Sequence, residues 1–261
     1  MAEASCTIYK ILENTHLFSS VKPTESEIVI TRYNEDLEWT KTVAHLCTVY
    51  NKGPTPVPSY RYNKVLQTPN IGYGVETILR HIILNYGSLA IITFFCQGKI
   101  ADRSDQPLYP LEWYLLEPKP NDFRALDDYL NDGPNFRIPE KALTELCRSV
   151  WKRTLAEFRK RIVGVAYNEN DRWVRGDWMA IGRERIRSKP LEYYVGLYLR
   201  CQFNRGREVE ELWFLERSFY SIFNNQLDLG FKAIPRRERK EALLKQLKEE
   251  KIEELVSGLS K

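Results

Sequence analysis

The spacing of hydrophobic residues changes along this chain, and the changes mark its elements. Glu27–Arg32 (EIVITR) is a β-branched run of strand length, and Leu46–Tyr50 (LCTVY) is another. The intervening NEDLEWTKTVAH is long enough for a short helix. Gly53–Pro58 (GPTPVP) alternates proline with other residues and reads as loop. Val75, Ile78, Leu79, Ile82, Ile83 and Tyr86 then follow the i, i+3, i+4, i+7 rule of an amphipathic helix. Ala90–Cys96 (AIITFFC) is a continuous apolar run, as expected of a strand buried on both faces. Strand, helix, strand, then helix and strand predicts an α/β fold with parallel neighbours.

The second half reads as mainly helical. Leu143, Leu146, Cys147, Val150, Leu155 and Phe158 form one stripe after Ile138-Pro139-Glu140. Ser188 and Pro190 open a second helix, as cap and first turn. Val209–Phe223 is a third, and residues 236–261 form a terminal helix with eight basic and six acidic residues. The expected organisation is an N-terminal extension (1–26), one α/β domain with a helical C-terminal part (27–230), and a charged C-terminal helix (231–261) that docks on the body or on a protein partner.

Composition narrows the class. At 261 residues, 43% hydrophobic and 28% charged, the chain is globular. Leu89–Cys96, about eight residues, is its longest uncharged apolar run, too short for a membrane helix. The N-terminus lacks a secretory layout, and five scattered cysteines form no C-x-x-C, so a cytoplasmic location is expected. The net charge of +4 is uneven. Arg148, Lys152, Arg153, Arg159, Lys160 and Arg161 form one basic stripe, and Arg172, Arg175, Arg183, Arg185, Arg187 and Lys189 a second. Such stripes suit phosphate-bearing ligands; solvated helix faces give the same pattern.

Candidate chemistry lies just after the strands, where open α/β sheets take ligands. Arg32, Asn34, Glu35 and Asp36 follow the first; Asn34 either caps the next helix or, with the carboxylates, reads a base and ribose hydroxyls. Asn51, Lys52 and Gly53 follow the second, where a mobile ammonium would meet a diphosphate. Asn70 and Gly72 lie in a glycine-rich stretch running into the amphipathic helix, whose free N–H groups attract anions. Gln97 and Gly98 end the central strand. No G-x-G-x-x-G or P-loop is present. D-x-D is missing too, so no metal ligands are assigned; Mg²⁺ or Mn²⁺ would have to sit on Asp102 or Asp105 with phosphate oxygens. Glu216 falls on the inward stripe of Val209–Phe223, where an acid must be paired, neutralised or functional. It and its neighbours Glu210 and Glu211 are the candidate general bases.

IVITRYNEDLEW, VYNKG, PNIGYG, ITFFCQG, GDWMAIGRERI and LERSFYSIF occur in one order. That order resembles a glycosyltransferase-like family of unknown function found in fungi, bacteria and large DNA viruses, over Glu27 to Phe223. Tyr73-Gly74 departs from the family's Arg-Glu after its glycine. The resemblance implies a fold similar to A-type glycosyltransferases: a mostly parallel, Rossmann-like sheet flanked by helices.

The expected function is transfer of a sugar from a nucleotide diphosphate-sugar to a hydroxyl of a glycan or other acceptor. Arg32–Asp36, Asn51–Gly53, Asn70, Gly72, Gln97 and Gly98 would hold the donor. Asp177 and Trp178 would shape the acceptor pocket, Trp178 by stacking on a sugar. Lys52 or Arg183 would steady the departing diphosphate. Two alternatives belong to other classes: a non-catalytic nucleic-acid-binding protein using the basic stripes, and a silent sugar-nucleotide fold acting as a scaffold.

Overall fold

The computed structural model describes residues 18–99, 115, 117–125, 128–130, 154–168, 172–174, 178–202 and 210–224. Strand β1 (Ser26–Arg32) sends Ile28 and Ile30 to one face of a sheet and Val29 to the other. All three are buried, so β1 is central. It pairs in parallel with β2 (Cys47–Asn51) on one side and β4 (Ile92–Gln97) on the other. Beyond β2 lies β3 (Lys64–Gln67), also parallel. Beyond β4 lies β8 (Met179–Gly182), antiparallel, and then β5 (Phe123–Ala125), antiparallel to β8. The sheet order is β3-β2-β1-β4-β8-β5, a mostly parallel mixed sheet of six strands. Strands β6 (Asp128–Leu130) and β7 (Arg172–Val174) form a separate antiparallel pair.

Helix α1 (Tyr73–Asn85) covers one face, burying Ile78, Leu79 and Ile82. Each buried side chain of this size contributes about 1.5–3 kcal/mol. Further helical segments join the same core: α2 (Leu155–Phe158, continuing as a π turn to Val163), α3 (Arg183–Arg187), α4 (Leu191–Gln202), α5 (Glu210–Glu216) and α6 (Phe219–Asn224). The opposite face is covered by the chain between β1 and β2, through Leu37, Trp39, Val43 and Leu46.

Two expectations change, and short strands enter that the pattern did not predict. The segment between β1 and β2 forms two 3₁₀ turns, Glu38–Thr40 and Ala44–Leu46, because its apolar side chains all dive onto one sheet face. The short β3 gave no period to read. The described part of the second half is mainly helical, as expected, but β8 joins β5 in extending the main sheet and is too short for alternation to show. Val209–Phe223 is not one helix. It breaks at Arg217–Ser218, where the Ser218 hydroxyl bonds back to the Phe214 carbonyl at 2.6 Å and Arg217 stacks on Trp173 and Trp213. No described helix is long and apolar enough to cross a membrane. The segments 1–17 and 225–261, including the expected terminal helix, lie outside the described residues, as do Asp102 and Asp105.

Candidate functional site

From β1 the chain steps outward to β2 and β3, then returns to place β4 on the other side of β1. The strand order therefore reverses between β1 and β4, and the crevice beyond their carboxyl ends is where such sheets take ligands. The segments following β1, β2, β3 and β4 all end at this edge. Gly98 donates its N–H to Thr31 O at 2.8 Å, and Trp39 Nε1 donates to Gly98 O at 2.8 Å. Glu35 lies over this junction: a Cβ on Gly98 would come within 3.0 Å of the Glu35 Cβ and Oε2. Oε2 accepts from the Tyr33 and Asn34 amides at 2.6 and 3.1 Å, while Oε1 has no hydrogen-bond partner among the described residues.

Arg32 and Asn51 are structural neighbours rather than open ligand contacts. Arg32 is buried; its guanidinium donates to Glu35 O, Asn51 Oδ1 and Thr55 O at 2.7–2.8 Å. The Asn51 amide nitrogen donates to Gly53 O, Thr55 O and Gln67 Oε1. Asn34 is exposed, and its Oδ1 accepts from the Thr55 hydroxyl at 2.6 Å. It therefore ties the two loops together rather than capping a helix. A side chain at Gly53 would fall on the Tyr33 carbonyl, so only glycine permits that approach. Asp36 is exposed and accepts from the Glu38 amide at 3.0 Å.

Lys52 is not the mobile ammonium suggested by its turn. Nζ donates to Glu76 Oε2 at 2.6 Å and to Ile71 O at 2.8 Å, with only 5% of the residue exposed. Burial pulls its pKa below the ordinary lysine value, against the attraction of Glu76. Glu76 Oε1 also accepts from Arg80 Nε at 2.7 Å, and Arg80 reaches the Tyr198 hydroxyl at 2.6 Å. Glu76 and Arg80 were missed in the sequence. Their signal was available: a charged pair at i, i+4 on the side of the helix that also carries Ile83. The lysine holds the Asn70–Gly72 loop from below, and Gly72, at φ +64°, turns that loop into α1.

Among the candidate bases, Glu211 is half-buried with no hydrogen-bond partner among the described residues. Its charge, with those of Glu76 and Lys52, acts on the Cys201 thiol, whose pKa is pushed up chiefly by burial. Leu212 beside it lies 3.5 Å from the position a Cβ on Gly72 would take. Glu211 is thus at the same sheet edge as the glycine loop. Glu216 is half-buried and engaged in interactions of its own, not stranded in the core. The helix break turns the inward face onto Phe214, Leu215 and Phe219 instead. The Glu210 side chain lies outside the described residues.

Two assignments fail on position. Arg183 follows β8, which runs antiparallel to β4, so it lies at the other end of the sheet: its N–H bonds Ile91 O, before β4 begins. Six residues of β4, roughly 17 Å of strand, separate it from Gln97. It cannot share a diphosphate with the β1 and β2 loops. Trp178 is only 1% exposed and packs in the apolar cluster with Phe94 and Ala180, so it offers no face to a sugar. Asp177 lies outside the described residues. Several arginines of the basic stripes are turned inward. Arg159 is fully buried against Ser221, Arg185 bonds the Asn121, Phe223 and Asn224 carbonyls, and Arg187 those of Tyr86 and Gly87. These groups cap chain segments and are not a row of solvated cations. Among the described residues, no three His, Cys, Asp or Glu side chains gather as a metal site.

No family model, curated protein or solved structure compared with the chain matches it.

Proposed function

We propose that this protein is a glycosyltransferase with an A-type-like fold, moving a sugar from a nucleoside diphosphate donor to a hydroxyl acceptor. The observation that carries this reading is topological. The order β3-β2-β1-β4-β8-β5, with antiparallel β8, gathers the loops after β1, β2, β3 and β4 at a single switch point. In this reading Glu35 Oε1 accepts from a ribose hydroxyl, while Asn34 and Asp36 meet the nucleoside. The diphosphate lies against the start of α1, whose dipole favours negative charge. Lys52 and Arg80, two cations against one Glu76, add positive potential from behind without touching it. A divalent cation accompanying the donor would compete with the ribose hydroxyl for that Glu35 oxygen and take its other ligands from phosphate and water.

Glu211 is the base best placed for the transfer. Its carboxylate takes the proton from the acceptor hydroxyl as that oxygen bonds the sugar's anomeric carbon. The bond from that carbon to phosphate oxygen breaks, and the nucleoside diphosphate leaves with the electron pair.

A thermal-shift screen against uridine and guanosine diphosphate sugars, with and without Mn²⁺, tests the reading. A true donor at a hundredfold excess over its dissociation constant raises stability by about 2.7 kcal/mol. Stabilisation by none of these donors would sink the assignment.

A further inference from the structure

The sheet edge opposite the candidate site holds a second polar cluster, unused by the function proposed above. Glu27, Thr48 and Tyr50 point from β1 and β2 toward α1, whose last turns lay His81 and Asn85 over them, and Asn63 closes one side. Together they line a cavity of about 80 Å³. A polar space of that size exceeds what one water needs.

The hydrogen bonds fix the chemistry of its wall. The Asn85 amide nitrogen donates to His81 O at 2.9 Å and faces His81 Nδ1 at 3.4 Å; the Tyr50 hydroxyl faces the same Nδ1 at 3.2 Å. Flanked by these donors, Nδ1 is the acceptor of the ring and Nε2 carries the proton. His81 is 1% exposed, yet Nε2 has no hydrogen bond of acceptable geometry. Glu27 Oε2 lies 3.3 Å from it, an ion-pair contact that does not complete a hydrogen bond, while Glu27 Oε1 is taken by the Thr48 hydroxyl at 2.6 Å. The Asn63 and Asn85 side-chain carbonyls have no partners among the described residues. A buried donor and a carboxylate oxygen therefore open side by side on the cavity, and a buried donor left without an acceptor is costly.

We infer that this cavity binds a neutral hydroxyl-bearing ligand, a small polyol or the end of a sugar, whose oxygen accepts a hydrogen bond from His81 Nε2 and whose O–H donates one to Glu27 Oε2. Charge selects that class. Burial opposes the charge on Glu27, but His81, the Thr48 hydroxyl and Lys64 together hold its pKa low, so Glu27 stays ionised and disfavours an anion. Lys64 on the rim offsets the pull of Glu27 on a cation, and the inward N–H gives a cation nothing to bind. A hydroxyl both accepts and donates, so one such group meets both His81 Nε2 and Glu27 Oε2. The inference does not depend on the donor site, which lies at the far end of β1.

The His81 imidazole reports directly. In a nuclear magnetic resonance titration of the full chain, glycerol is expected to shift the His81 ring resonance saturably and leave His45 unmoved. Acetate and methylammonium, of similar size, should do neither. Asn63→Ala removes one rim acceptor from an exposed residue and should weaken glycerol binding about fivefold, the worth of one hydrogen bond. A non-saturating response to glycerol, saturation by either ion instead, or equal glycerol affinity in Asn63→Ala and the parent would each overturn the inference.

Discussion

Lys52 and Glu76, on different elements and 24 positions apart, meet at 2.6 Å with both side chains 2% exposed. Breaking a buried pair by removing one member strands the other charge, at a cost of about 3–5 kcal/mol. Glu76→Gln should lower unfolding stability by that much, because Lys52 and Arg80 both lose their counter-charge. Adding Lys52→Met to Glu76→Gln should recover part of the loss, since it removes one stranded cation. Urea unfolding of the two singles and the double checks this, and strict additivity would mean the pair is not coupled.

Arg183 should be irrelevant to donor binding. It lies beyond the start of β4, while the donor loops lie beyond its end. Calorimetric affinity of Arg183→Ala for a stabilising nucleotide sugar should equal the parent's, whereas Asn34→Ala should weaken it. A large loss in Arg183→Ala would place the ligand at the wrong edge of the sheet for the proposed site.

Lys189 is buried, with the Ser188 hydroxyl at 3.0 Å as the partner of its ammonium. Burial, and then Arg185, pull its pKa down to about 8. Between that value and the ordinary 10.5, the unfolded lysine holds a proton that the folded one has lost, so this group makes stability rise with pH across that window. Below it, the folded state carries an unfavourable buried cation. Lys189→Met should therefore be stabilising at neutral pH by about 1–3 kcal/mol. That advantage should shrink as pH climbs from 8 toward 10.5. Denaturation measured at several pH values follows the difference.

Glu211→Gln should abolish transfer while leaving donor affinity and unfolding stability nearly unchanged. The parallel change Glu216→Gln should retain most turnover. The reverse pattern would move the base to the far end of α5.

Local pattern made part of this molecule legible. The 3.6-residue period of Val75–Tyr86 marked α1 to within two residues, and the apolar run Ala90–Cys96 marked a strand buried on both faces, because a long stripe or unbroken run has few other solutions. The strand-end loops were legible because an open sheet exposes its carboxyl ends. Strands β3, β5 and β8, three or four residues each, carried too few positions for any period to emerge.

What the chain alone settled is therefore strands β1, β2 and β4, helix α1 and the residue types at the strand tips, all of which depend on neighbours a few positions away. Tertiary structure decided where those residues point. The antiparallel entry of β8 sends Arg183 to the far edge. Packing of α1 on the sheet turns Lys52 from a ligand contact into half of an ion pair, and the break before Phe219 releases Glu216 from the core. Each outcome depends on segments tens of residues apart meeting in space, and local spacing carries no record of such meetings.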